Sequence, residues 1–248
     1  MSKVRFSTTL GLAALIFFGL ASPLFAWYYF TASNSNRKAW VFNTSCNPDN
    51  SQINLYVDSD TPSAEQLTLT TTTTWGSPVI TDWNEPFGGA TISLMNTTID
   101  TSTSMDSDSV VSYYSSPVAG RIWIVYDSTG DVFSRFGIDP DSGVLGIGLS
   151  FEQDGANPQN ICSGLILINA YYINKEYGSN ATKQYKVTVL HELGHTLGFA
   201  HSVSAGNRLE TVGQTTAGIP VMYPFSYTSG PTSLQNDDHA GAKAVYGQ

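Results

Sequence analysis

His191-Glu192-Leu193-Gly194-His195-Thr196-Leu197-Gly198-Phe199-Ala200-His201 is the stretch from which the rest of the chain is read. On a helix, residues four apart project from one face, so His191 and His195 stack one turn above the other. At that spacing two ring nitrogens can meet one zinc ion. Glu192 is rotated about 100° from His191. It therefore borders such an ion without ligating it, where it can take a proton from a water that the ion activates. Gly198 stands just beyond His195, where a residue without Cβ can adopt positive φ and end the helix. The chain can then turn back and bring in His201 as a third nitrogen. Three ligands leave a fourth tetrahedral position open, as a catalytic zinc requires and a closed structural site does not. Two histidines at this spacing alone could also be a pair on a polar helix face. Three of the chain's 4 histidines in one motif, with Glu192 beside them, favour the metal.

The chain has 248 residues, 41% hydrophobic and 12% charged, enough for one large domain or two small ones. Lys3 and Arg5 precede an apolar run, Leu10 to Ala21, followed by Ser22-Pro23 and Leu24-Phe25-Ala26. That pattern predicts a secretory signal peptide over residues 1–26. Trp27-Tyr28-Tyr29-Phe30 prolongs the apolar character, so an N-terminal membrane anchor is the alternative. Cleavage would remove Lys3 and Arg5 and no acid, moving the net charge from −9 to −11. A chain of that charge repels nucleic acid and anionic lipid. The expected location is extracellular or periplasmic, with no membrane span after cleavage. Two cysteines, Cys46 and Cys162, suit an oxidising compartment and could form one disulfide. Asn43, Asn96 and Asn180 each open a glycosylation sequon.

After a polar N-terminal segment, 27–51, residues 52–248 read as one domain without internal repeats. Five strands are predicted: Ile53–Val57, Ala90–Met95, Arg121–Tyr126, Val144–Phe151 and the nearly all-apolar Gly164–Asn169. A run as apolar as the last is expected where a strand is covered on both faces. Leu67–Thr74 is threonine-rich, which by propensity favours strand, and Gly76-Ser77-Pro78 would break or kink a helix there. Residues 96–117 read as a Ser/Thr/Asp-rich loop with little to bury. Asp127-Ser128-Thr129-Gly130-Asp131 and Asp139-Pro140-Asp141-Ser142-Gly143 are turns in which calcium is possible. A helix over 181–197 carries the metal motif, with Val187, Leu190, Leu193 and Leu197 as its buried stripe.

Beyond the motif come Ile219-Pro220-Val221-Met222-Tyr223-Pro224 and a final run, Leu234-Gln235-Asn236-Asp237-Asp238-His239-Ala240-Gly241, that leads into Tyr246-Gly247. Thr232 or Ser233 could cap this last helix, with the aspartates in its first turn. Together with Ser202 directly after the last histidine, these stretches resemble the matrixin branch of the metzincin zinc peptidases. The resemblance is closest over 181–248.

That resemblance implies an α+β fold of α/β type. It comprises a twisted, five-stranded, mostly parallel sheet, an active-site helix, a C-terminal helix and an irregular lower subdomain. It also implies a helix over 64–84 with Trp83 near its end. His191, His195 and His201 would bind one catalytic zinc, with Glu192 as general base and then acid. Met222 would floor the site, and Tyr223 and Pro224 would shape the wall of the primed-side pocket. Asp237 or Asp238 would anchor the methionine turn or the chain's N-terminus. Residues near 144–151 would line the cleft, and protein or peptide substrates would be cleaved by a monomer. The departures are informative. His239 is the one histidine outside the motif, so no second, histidine-bound zinc is expected. No long pro-domain is expected before the first strand. Ser45-Cys46-Asn47-Pro48-Asp49 faintly resembles the inhibitory cysteine segment of latent matrixins but lacks its arginine, and a disulfide to Cys162 is the favoured reading. The alternative function is a catalytically silent zinc-binding or surface protein on the same fold. Glu192, which metal binding alone does not need, argues against it.

Overall fold

A computed structural model describes residues 28–29, 39–40, 52–87, 93–94, 101–152, 160–202, 219–223 and 230–246. In chain order the elements are β1 (Tyr28–Tyr29), β2 (Ala39–Trp40), β3 (Gln52–Val57), α1 (Ser63–Thr70), α2 (Val79–Phe87), β4 (Ser93–Leu94) and α3 (Ser107–Ser115). There follow β5 (Arg121–Tyr126), α4 (Asp131–Arg135), β6 (Gly146–Glu152), β7 (Asn160–Ile168), α5 (Ala170–Tyr177), α6 (Ala181–Thr196), β8 (Phe199–Ala200) and α7 (Asn236–Tyr246). The signal segment, Cys46, Pro224 and the first two sequons lie outside the described residues.

Five strands run side by side as β6-β7-β5-β3-β4, with the short β2 added to β7. β7, β5, β3 and β4 are mutually parallel, and β6 joins β7 antiparallel at the edge. This is the mostly parallel, metzincin-like sheet expected. Its apolar runs are explained by burial on both faces. Ile122, Ile124, Ile166 and Ile168 point into one core with α1, α2, α6 and α7. Trp123, Val125, Leu165 and Leu167 alternate with them and point into a second core under α3 and α4. β7 begins four residues earlier than the apolar run suggests, at Asn160, because Ile161 and Cys162 are buried too.

α6 is packed on nearly every side: thirteen of its sixteen residues are buried, among them Gln184, Lys186 and Thr188. A helix so enclosed shows little amphipathic contrast in its sequence. Lys186 has a fully buried side chain whose Nζ donates to the carbonyls of Trp75 and Ser77, at 3.1 and 2.5 Å, with Asp82 Oδ2 at 3.8 Å. It thereby ties the α1–α2 connection to α6. That connection corrects the expectation of one helix over 64–84. Gly76 sits at φ 101° and exchanges backbone hydrogen bonds with Thr73, and Pro78 follows, so the helix is split in two. Threonine propensity loses to packing in α1, where Thr68 and Leu69 are buried.

Two further expectations change. The polar stretch 96–117 contains α3, because Asp106 accepts the Ser109 amide at 2.8 Å as its cap. Val110 and Tyr113, three apart, are buried, and Tyr113 packs edge-on against Trp123 and Phe151. At the other end, neither Thr232 nor Ser233 caps α7. The Gln235 amide donates to Asp238 Oδ2 at 2.8 Å instead, a carboxylate inside the first turn reaching back.

The three central parallel strands each end on a buried polar side chain: Asp58, Asp127 and Asn169. Asp127 accepts the amides of Gly130 and Phe133 at 2.8 and 2.9 Å. Asp139 accepts the Asp141 amide, and Asp141 pairs with Lys175 at 2.8 Å. The two aspartate-rich turns therefore spend their carboxylates on backbone amides, the Thr129 hydroxyl and a lysine, and nothing in them supports the calcium considered from sequence. Asp127→Ala should lower unfolding free energy by about 2–3 kcal/mol, since two buried amides lose their acceptor. Urea denaturation measures this, and millimolar calcium should leave the parent's melting temperature unchanged.

Candidate metal centre and active site

Three imidazoles converge where α6 ends. The Nε2 atoms of His191 and His195 are 3.1 Å apart, those of His195 and His201 are 3.1 Å apart, and those of His201 and His191 are 3.2 Å apart. The first two stack on consecutive turns of α6, as the four-residue spacing predicts. His201 arrives because Leu197 closes the last turn and Gly198 swings the chain back at φ 95°. Two zinc–nitrogen bonds of about 2.05 Å at the tetrahedral angle separate nitrogens by roughly 3.3 Å, so this triangle fits a tetrahedrally ligated ion.

The other ring nitrogens supply the support that such ligands need. His191 Nδ1 lies 2.6 Å from the Val221 carbonyl and His195 Nδ1 lies 2.7 Å from the Phe199 carbonyl. A carbonyl only accepts, so Nδ1 carries the proton and Nε2 turns a lone pair inward. Burial, reinforced by the neighbouring His201, holds the His191 pKa down at about 4, and burial holds His195 well below the usual histidine value. Both rings are thus neutral at neutral pH, the form in which imidazole binds metal. Among the described residues this triad is the one group of three or more histidine, cysteine or carboxylate ligands placed to hold a metal ion.

Glu192 stands beside the triad with 6% of its surface exposed. Burial pushes its pKa up to about 8, partly offset by a hydrogen bond from the Gly148 amide. A neighbouring dication would favour the ionised form, bringing the group into the range where it can both accept and release a proton. The Gly148 contact also explains the glycine-punctuated β6. A Cβ on Gly148 would overlap the Glu192 carbonyl and approach His195 Cβ to 2.8 Å; one on Gly146 would come within 2.7 Å of Glu192 Cγ. Alternate small residues mark the face of β6 pressed on the helix.

Beneath the triad, Pro220 and Tyr223 close a tight turn at 3.1 Å that holds Met222 against α6. A Cβ on Gly194 would collide with Met222 Sδ, so the glycine between the two helical histidines is the seat of the methionine. Of the two candidate aspartates, Asp238 holds this turn: it accepts the Val221 and Met222 amides at 2.8 and 3.2 Å. Tyr223 is buried at the end of the turn, and Ser202 is bound through its amide to the Met222 carbonyl at 2.8 Å. Trp83 stacks on Phe199 and donates to the Leu190 carbonyl at 3.1 Å, bracing α6 from α2. His239 lies on α7, apart from the triad, and Cys162 is buried on β7.

This sheet, its antiparallel edge strand and a histidine triad at the end of one buried helix define a metzincin-type metallopeptidase. Residues 107–243 match the metallo-peptidase family M12B, reprolysin-like. The chain belongs to that family and is a zinc-dependent peptide hydrolase. No curated protein matches the sequence. Gly194→Ala is expected to cost about 1–3 kcal/mol through overpacking on Met222 and to weaken zinc retention. Thermal unfolding with and without zinc, and dialysis against a chelator, measure the two effects.

Proposed function

We propose that the protein is a secreted endopeptidase in which His191, His195 and His201 hold one catalytic zinc and Glu192 moves the proton. The observation that carries the proposal is the buried Glu192 carboxyl beside three inward-facing Nε2 atoms 3.1–3.2 Å apart. A zinc ion on these nitrogens supplies a Lewis acid that polarises a peptide carbonyl and acidifies water. Glu192 takes the proton of the attacking water and passes it to the departing amine nitrogen as the C–N bond breaks. The Gly148 amide orients the carboxylate, and the carbonyls of Val221 and Phe199 fix two of the rings.

β6 gives the substrate its place. Among the described residues it pairs only with β7, so its outer edge can accept an extended peptide as a further strand, with both peptide ends free to run on. That favours internal cleavage over trimming of a terminus. Met222 is the floor, and Tyr223 forms part of the pocket wall. Within the metzincins, Ser202 after the third histidine, the Met222-Tyr223-Pro224 turn and the Asp238-anchored closing helix support a matrixin-like cleft, although the family matched is the reprolysin-like one.

The N-terminal pattern supports export with cleavage after Ala26, or retention through an uncleaved anchor. Among the described residues no helix is long and apolar enough to cross a membrane. None of the cysteines among the described residues is free, and Cys46 is the chain's one other cysteine, which supports a Cys46–Cys162 disulfide over an inhibitory cysteine. Intact mass should rise by two hydrogens on reduction.

Glu192→Gln is expected to keep zinc at one ion per chain while kcat/KM on an unstructured protein substrate drops by about 10³–10⁴. Chelation should abolish cleavage in the parent and zinc should restore it. A zinc-loaded parent that cleaves nothing would leave a silent zinc-binding protein, and undiminished cleavage by Glu192→Gln would remove the carboxylate from the mechanism.

A further inference from the structure

β8 lies between the second and third imidazole, and the peptide units from Thr196 to Ala200 decide where His201 goes. The last carbonyls of a helix have no partner within it. In α6 the amides of Leu197 and Gly198 take up the carbonyls of Leu193, Gly194 and His195. The next two, Thr196 and Leu197, are taken by side chains from the two ends of the chain. Trp40 Nε1 donates to the Thr196 carbonyl at 2.9 Å, and the Tyr246 hydroxyl donates to the Leu197 carbonyl at 2.5 Å. The two are joined, since the Trp40 amide donates to that same hydroxyl oxygen at 3.2 Å. Both side chains are more than nine-tenths buried, and Tyr246 packs edge-on against Phe199. A third tie comes from β1, whose Tyr28 and Tyr29 pair antiparallel with Ala200 and Phe199.

We propose that Trp40 and Tyr246 are positioning residues for the third metal ligand, a clamp on the end of α6 that holds the turn at Gly198 and so delivers His201 to the other two rings. The proposal rests on the reading of the triad as a metal site. Its physical basis is the freedom of the turn it holds. Glycine at positive φ has several accessible paths, and within the turn only the Gly198 amide on the His195 carbonyl and the Phe199 carbonyl at His195 Nδ1 restrain the one that returns His201. Hydrogen bonds to the two carbonyls ahead of Gly198 fix the orientation of both peptide planes. Neither residue touches the metal site, so both act on ligand geometry. The same arrangement ties Trp40 to the end of the helix that carries two of the ligands, although it lies 156 residues from Thr196 in sequence.

The test uses the full chain with Tyr246→Phe, which removes one oxygen, and Trp40→Phe, which keeps an aromatic ring but removes the indole donor. Phe133→Leu, in the core on the opposite face of the sheet, serves as the control for lost stability. Zinc affinity is read by competition with a chromophoric chelator, and ligand geometry by the visible spectrum of the cobalt(II)-substituted protein. Both clamp variants should bind zinc about 10- to 100-fold more weakly, the range for lost support of metal ligands. They should also show a weakened tetrahedral cobalt band, while Phe133→Leu lowers the melting temperature and leaves both readings unchanged. If either clamp variant fails to fold, the other decides. Parental zinc affinity and spectrum in the clamp variants, or an equal loss in Phe133→Leu, would overturn the proposal. Failure of the parent itself to bind zinc would instead overturn the reading of the triad.

Discussion

Three imidazole nitrogens must reach one point, and only two of them can come from a helix. Consecutive turns of α6 bring His191 and His195 together at no cost beyond that of forming the helix. The third requires the helix to stop within one turn of His195 and the chain to reverse. Everything around the end of α6 serves that reversal: Gly198 at positive φ, Phe199 stacked on Trp83, and Ser202 bound to the turn that carries Met222. The histidine triad is therefore a property of how a helix ends, and less of the helix itself.

Burial does the electrostatic work. Enclosing α6 on nearly all sides shields His195 and Glu192 from water and partly shields His191, which keeps His191 and His195 uncharged and raises the carboxyl toward neutrality. A charged imidazole could not share this space with two others, and a carboxylate in water would be too weak a base. The enclosure has a geometric requirement as well. Two close approaches, β6 on one side of α6 and Met222 on the other, are possible only because Gly148 and Gly194 have no side chain to obstruct them. The contact at Gly148 joins the strand along which substrate is proposed to lie to the carboxylate proposed to act on it, so their relative position is set by backbone.

Asp238 shows how few groups connect the parts. One buried carboxylate caps the start of α7 through Gln235 and holds the methionine turn through Val221 and Met222. The Val221 carbonyl then supports His191 Nδ1. The closing helix, the methionine turn and a ring of the triad are thus linked through consecutive hydrogen bonds, and Tyr246 at the far end of the same helix reaches the end of α6.

The sequence by itself determined what depends on neighbours a few residues away. Histidine spacing placed two rings on one face, Gly198 ended the helix, and period-two and all-apolar runs located five strands and implied cover on both sides of the sheet. What depends on residues far apart was decided by the tertiary structure. The polar 96–117 stretch yields a helix because Val110 and Tyr113 find a core across the sheet, and 64–84 divides because Lys186 and Gly76 hold the break. Sequence offered Asp237 and Asp238 as equals, and only packing chose between them. Trp40 carried no local signal at all, since its hydrogen-bonding partners are on α6 and α7. Local periodicity reports the conformation of a segment, whereas burial and long-range hydrogen bonds exist only once segments meet.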